Sequence, residues 1–143
     1  MKKYLALLLS FISCAAFSLN LESVNVFGEK VSECNVSQSA ANASISSAMR
    51  YNRIGLSKES KVHAYHQITV VDTSGGCAAT VNFQIYFNSF ANVPQKNNQK
   101  VFLKHLLCSQ VVLLTGPRYD FGTRVSDFLK EAVDFCIDEI SKQ

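Results

Sequence analysis

Hydrophobic and polar side chains alternate over two adjoining stretches, Lys61 to Asp72 and Cys77 to Phe90. In the first, Val62, Ala64, His66, Ile68 and Val70 share one face, and Lys61, His63, Tyr65, Gln67 and Thr69 share the other. In the second, Cys77, Ala79, Val81, Phe83, Ile85 and Phe87 oppose Ala78, Thr80, Asn82, Gln84, Tyr86 and Asn88. Alternation this long predicts a half-buried antiparallel hairpin. A turn at Ser74-Gly75 pairs Thr73 with Gly76, so that Val70 faces Ala79, Ile68 faces Val81 and Ala64 faces Ile85. Both apolar sets then lie on one side of the sheet, and a slip by one residue would send one of them to the opposite side. Gly75 suits the positive φ of a type I′ turn, with a four-residue loop in the same register as the alternative. On the outer face this register sets His63 against Tyr86 and Lys61 against Asn88.

The rest of the chain supplies layers for that hairpin. Leu21 to Phe27, with Val24 and Val26 flanking Asn25, reads as a short first strand ended by Gly28. Ser37 to Tyr51 is rich in Ala, Ser and Asn, with Ala41, Ile45, Ala48 and Met49 at helical spacing. Ser37 or Ser39 can cap its start, Arg50 and Arg53 suit its C-terminal dipole, and Gly55 can end it. Its small side chains let it lie close across the apolar face of the hairpin. Ala91 to Lys100 is polar and reads as an exposed connection. Val101 to Thr115 is apolar on both alternating faces, as in a strand covered on both sides. Its first half also fits a helix through Leu103, Leu106 and Leu107, but Val111 to Leu114 favours strand. After Gly116-Pro117, a stripe of Val125, Phe128, Leu129, Ala132, Cys136 and Ile140 marks a helix over Thr123 to Lys142, capped by Thr123. The predicted fold is α+β: an antiparallel sheet of three to four strands with the 61–90 hairpin central. A short helix near 37–51 packs on one face, and a C-terminal helix near 123–142 packs on the other face or across the end.

The N-terminus changes the setting. Lys2 and Lys3 followed by the apolar run Tyr4 to Ile12 read as a secretory leader over residues 1–18, too short to span a bilayer. Ala16-Phe17-Ser18 allows cleavage before Leu19; cleavage after Ala15 or Ala16 is the alternative. Phe11-Ile12-Ser13-Cys14 is a loose lipobox, so acylation of Cys14 is a second alternative. Two of the 14 basic residues leave with the leader, so 12 face 11 acidic ones, a net charge of +1. That near-neutral balance argues against a nucleic-acid or anionic-membrane partner. Residues 19–143 then form a single exported domain of bacterial type. Membrane contact is expected only if Cys14 is acylated.

Four cysteines remain, Cys34, Cys77, Cys108 and Cys136, an even number in an oxidising compartment. Of the three connectivities, geometry favours Cys34–Cys77 with Cys108–Cys136. The first helix should run back along the hairpin's first strand, bringing Cys34 to the turn where Cys77 begins the second. Cys108 lies about 23 Å back from Thr115 at strand rise, and Cys136 about 20 Å along the last helix.

Candidate chemistry is sparse. His63 and His66 stand three apart, but on a strand they point to opposite faces and cannot share one metal. His66 reads as a hydrogen-bonded core histidine and His63 as a surface residue; His105 has no assigned partner. No C-x-x-C, G-x-S-x-G, Walker A, H-E-x-x-H or EF-hand loop occurs. No cofactor and no metal site are expected. Tyr65 and Tyr86 share the polar hairpin face with His63, and tyrosines among Asn, Gln and Thr are the makings of a protein-binding surface. The alternative is that a second layer covers part of that face. Gly28-Glu29 ahead of Cys34, then an Ala/Ser helix, strand, Gly76-Cys77 and strand, resembles over about half the mature chain the outer-membrane lipoproteins that sense envelope stress for the Rcs phosphorelay. The segments after Phe90 have no counterpart there, and the resemblance transfers no function. The expected function is protein binding in the bacterial envelope, as an inhibitor, an immunity or accessory factor, or an envelope-stress component. The alternatives are a secreted histidine-dependent enzyme and a lipid-anchored structural component.

Overall fold

The computed structural model describes residues 18–22, 26–28, 31–93 and 99–142. The leader up to Phe17, with Cys14 and its lipobox, and the segments 23–25 and 94–98 lie outside the described residues. Strands β1 (Ser18–Leu21), β2 (Val26–Gly28), β3 (Gly55–Leu56), β4 (Val62–Thr73), β5 (Gly76–Val93) and β6 (Gln99–Gly116) form one mixed sheet. Its order is β3-β1-β4-β5-β6, with β2 beside β1 on the same edge of β4. Helices α1 (Gln38–Tyr51) and α2 (Phe121–Ser141) cover one side.

The hairpin register is the one the alternation predicts, from Val62 opposite Phe87 to Thr73 opposite Gly76. The turn is two residues long, but its type differs: φ is positive at neither Ser74 nor Gly75, and instead reaches 152° at Gly76. A Cβ on Gly76 would sit 2.4 Å from the carbonyl oxygen of Gly116 on β6, so this glycine is needed for close approach. Arg118 ties the same end together, reaching Asp72 Oδ1 at 2.6 Å and the Thr73 carbonyl at 3.0 Å.

The sheet is larger than the predicted antiparallel three or four strands, and part of it is parallel. β1 pairs with β4 at Asn20–His63 and Leu21–Ala64, and β2 at Val26–Ile68 through Gly28–Val70, both in parallel. β3 is also parallel to β1. The reason is topological: α1 lies between β2 and β4 and carries the chain back to the end it started from, as a crossover does. Strands of two to four residues leave too little alternation to be read. The predicted first strand at 21–27 is in fact two pieces.

Helix α1 starts where predicted, with Ser37 Oγ accepting from Ala40 N at 3.2 Å. It ends earlier than a Gly55 stop implies. Arg53 takes φ 60°, its N–H donates to Arg50 O at 3.0 Å, and Ile54 N–H donates to Met49 O at 2.9 Å. This is a Schellman closure with arginine in place of glycine, and Met49 and Ile54 are both buried beside it. Helix α2 begins at Phe121 behind Asp120, which makes no side-chain cap bond, rather than at Thr123. Gly122 there lies against the 3-10 turn Val31–Cys34: a Cβ would come within 2.1 Å of the Asn35 carbonyl.

Both helices pack on the same side, a correction to the expected placement of the C-terminal helix on the other face or across the end. Ile45 and Met49 of α1, and Val125, Leu129 and Cys136 of α2, join one core with Ile68, Val70, Val81, Phe83 and Ile85. Asn52 Nδ2 donates to Asp134 Oδ1 at 2.6 Å between the helices. Disulfides Cys34–Cys77 and Cys108–Cys136 pin the 3-10 turn to β5 and α2 to β6.

The segment Val101 to Thr115 lies within one strand, and a bulge explains its two apolar faces. Ile85 pairs with Cys108, but Tyr86 pairs with Leu106, leaving Leu107 as the extra residue. Beyond it, Cys108, Val112 and Leu114 face the core while Val111 and Leu113 face away, so the strand is not covered on both sides. The connection predicted at 91–100 is shorter too, since β5 runs to Val93 and β6 starts at Gln99.

Candidate binding face

The open side of the sheet gathers His63, Tyr65 and Tyr86 into one cluster. His63 stacks on Tyr86, with ring centroids 5.2 Å apart and planes 8° apart. Tyr65 donates its hydroxyl to Gln67 Oε1 at 3.1 Å. Two further residues complete the group. Glu22, just past β1, is held by its own N–H on the Ala64 carbonyl at 3.0 Å. Its Oε1 lies 3.0 Å from His63 Nδ1, an ion-pair distance, though too poorly aligned for a directed hydrogen bond. Lys104 of β6 places Nζ 3.6 Å from the Tyr86 ring centroid and 5.3 Å from that of Tyr65, a cation–π contact.

Burial pushes the Tyr86 phenol above its ordinary pKa, and a hydrogen bond to Glu22, the Glu22 charge and Tyr65 push the same way. Tyr86 is 5% exposed. Its hydroxyl therefore stays protonated and serves as a donor to the Glu22 carboxylate. The cluster is a braced platform of rings and charges, suited to recognition.

Beyond the cluster the open face continues in rows across three strands: Gln67, Asn82 and Val111, then Thr69, Thr80 and Leu113, then Val71, Ala78 and Thr115. Among the described residues no element covers these rows. Val71, Val111 and Leu113 are 54%, 61% and 70% exposed.

The other histidines lie elsewhere. His66 points into the core, fully buried, and neither ring nitrogen meets a hydrogen-bond partner among the described residues. This corrects the expectation of a hydrogen-bonded core histidine. Burial pulls its pKa down to about 4, keeping it neutral. His105 Nε2 lies 3.0 Å from Ser89 Oγ. This pair sits on the opposite face from His63, because His105 pairs with Phe87 and His63 with Tyr86. Thus the acid accompanies one histidine and the hydroxyl another. Cys34, Cys77 and Asp72 bring potential ligand atoms within 4.8 Å of one another, but the two sulfurs are bonded to each other. Two cavities lie apart from the cluster: one of about 320 Å³ among Ile54, Ile137 and Ile140, another of about 280 Å³ beside Asn35, Tyr119 and Thr123.

Sequence reasoning missed Glu22 and Lys104, for different reasons. Glu22 reaches His63 only through the parallel β1–β4 pairing. Plain alternation puts Lys104 on the same face as Cys108, and the bulge at Leu107 moves it to the open side.

No protein-family model matches this chain, and no curated protein matches it. Solved structures with some likeness include a PelC dodecamer from Paraburkholderia phytofirmans, at TM-score 0.43 and 10% identity over 87% of this chain and 86% of that one. The hypothetical protein CT253 from Chlamydia trachomatis aligns at TM-score 0.41 and 8% identity over 88% and 96%. A putative neuraminyllactose-binding hemagglutinin homolog from Helicobacter pylori aligns at TM-score 0.32 and 11% identity over 90% and 82%. At this level of likeness no property of this chain follows from theirs.

Proposed function

We propose that this chain is a small exported protein of the bacterial envelope that works by binding another protein on the open face of its sheet, without catalysis. The observation that carries the reading is the uncovered face itself, with the Glu22–His63–Tyr86–Lys104 cluster at one end and exposed Val111 and Leu113 along it. Aromatic rings held rigid among polar neighbours make contact area at low entropic cost. Two disulfides agree with an oxidising compartment. No helix among the described residues is long and apolar enough to cross a membrane. Export through the leader at 1–18, a single domain over 19–143 and a role as inhibitor, accessory factor or envelope-stress component belong to the same proposal.

The experiment is site-specific photo-crosslinking in the exporting bacterium. A crosslinking residue at Gln84, in the middle of the open face, should trap a defined partner, while one at Lys58, on an exposed turn, should not. His63→Ala and Tyr65→Ala in the Gln84-labelled protein should abolish the adduct without lowering the urea midpoint. Equal adducts from both positions, or none from Gln84, would refute the reading. Intact mass of the exported chain separates cleavage near Ser18 from acylation at Cys14.

A histidine-dependent reaction is the second reading, favoured by the Glu22–His63 distance of 3.0 Å. It requires a nucleophile or substrate group within hydrogen-bond reach of His63 Nε2. The hydroxyl–histidine pair among the described residues, Ser89 with His105, is on the opposite face.

A further inference from the structure

β5 and β6 continue as a two-stranded arm past the end of β4. The last partner of β5 on β4 is Val62, opposite Phe87. Asn88 N–H still donates to the Lys61 carbonyl at 2.9 Å, and from Ser89–Leu103 to Val93–Gln99 the two strands pair only with each other among the described residues. A free ribbon of this length is marginal in water without an apolar surface to lie on. This one exposes Phe90 at 71% and Phe102 at 54%, packed edge to face at 5.5 Å, with Leu106 on the same face and exposed Leu103 on the other. Charge narrows the choice of surface. From Gly76 to Gly116 the sequence has no Asp or Glu, and Lys100 and Lys104 flank Phe102. Two arms packed face to face would bring like charges together with nothing to neutralise them. A lipid surface fits less well, because the sequence joining the strands, Pro94-Gln95-Lys96-Asn97-Asn98, holds no aromatic or large aliphatic side chain to insert.

A complementary surface exists on the same molecule. On α2, Glu131, Asp134, Phe135 and Asp138 recur at i, i+3, i+4 and i+7, so they share one helix face, and all four are exposed. Phe135 stands 49% exposed among the three acids. We propose that the β5–β6 arm of one copy docks on this acidic, phenylalanine-centred face of α2 in a second copy. Because arm and helix face are different patches, the contact closes as a dimer by reciprocal exchange of arms or propagates head to tail into a ring or filament. It shares Lys104 with the cluster above but uses neither His63 nor Tyr65, so loss of the Gln84 adduct in His63→Ala or Tyr65→Ala and loss of self-association in Phe90→Asn report the two proposals separately.

The test is sedimentation of the mature protein with charge reversals on either patch. The wild-type chain should self-associate, and more weakly at high salt. Lys100→Glu with Lys104→Glu, and separately Glu131→Lys with Asp138→Lys, should each raise the apparent dissociation constant at least about tenfold. Mixing the two variants in equal amounts should restore association, as should all four reversals in one chain, because opposite charges face each other again. Phe90→Asn, at an exposed site, should weaken association without any charge change and decides the matter if a reversed variant folds poorly. A wild-type chain monomeric at all concentrations would overturn the proposal, as would association indifferent to both reversals. Monomers that instead float with vesicles of phosphatidylethanolamine and phosphatidylglycerol through Lys100 and Phe90 would also overturn it and assign the arm to lipid.

Discussion

On the helix side of the sheet, Ile68, Val81, Phe83 and Ile85 are fully buried; on the other side, Val71, Val111 and Leu113 stand more than half exposed. The chemistry of the two sides differs less than their burial does. Each carries aliphatic residues and at least one histidine close to an aromatic ring. His66 lies opposite Phe83 among core side chains, and His63 stacks on Tyr86 beside Glu22 and Lys104. What separates them is the pair of helices, held to one side by two disulfides and by the Asn52–Asp134 bond. The comparison teaches that the covered face carries the stability of the chain. The open face holds apolar surface that contributes little to folding, and the proposed function assigns that surface to a partner.

The largest effect should come from the covered face. Phe83→Ala removes a fully buried ring and should cost about 3–5 kcal/mol in urea melts, whereas Gln84→Ala, its sequence neighbour on the open side, should change stability by no more than about 0.5 kcal/mol. Opening either disulfide by paired Cys→Ala substitution should cost about 2–4 kcal/mol. The two should be similar, since they close segments of 43 and 28 residues and loop entropy varies slowly with length.

Acid comes next and separates the two histidines. His66 has its folded pKa lowered to about 4 from an ordinary 6.5. A histidine buried neutral stabilises the fold fully above its unfolded pKa, and that contribution is lost as pH falls from about 6.5 toward 4. The loss by pH 4 should approach about 3 kcal/mol. His66→Leu should flatten this part of the stability profile, and His63→Leu should leave it in place. The smallest effect belongs to the open face: Lys104→Ala should cost about 0.5–1 kcal/mol, the size of an exposed cation–π contact.

The hairpin was legible because both its faces carry a dozen alternating residues, enough to fix register and to place His63 opposite Tyr86. Helix α2 was legible from its apolar stripe, to within two residues at the start. The parallel strands were not, since Ser18–Leu21 and Val26–Gly28 are too short for a pattern and their direction depends on where α1 returns the chain. The cluster was read in part: three of its rings lie on the hairpin, but Glu22 needs the parallel pairing and Lys104 needs the bulge. That bulge also turned β6 from an apparent two-sided core strand into one with a dry and a wet face. Arg53 shows the same limit at smaller scale, because a non-glycine residue at φ 60° carries no sequence signal for a helix stop.

The measurement that bears most directly on the two-faced sheet is a pair of lysine substitutions at adjacent positions of β6. Leu113 points to the open side, 70% exposed, and Leu114 packs against the core. Leu113→Lys should leave the urea midpoint within about 0.5 kcal/mol of wild type, as at other exposed sites. Leu114→Lys should cost on the order of 3 kcal/mol or more, as an unpaired charge forced against apolar packing does. Equal losses at the two positions, or the larger loss at Leu113, would contradict the account.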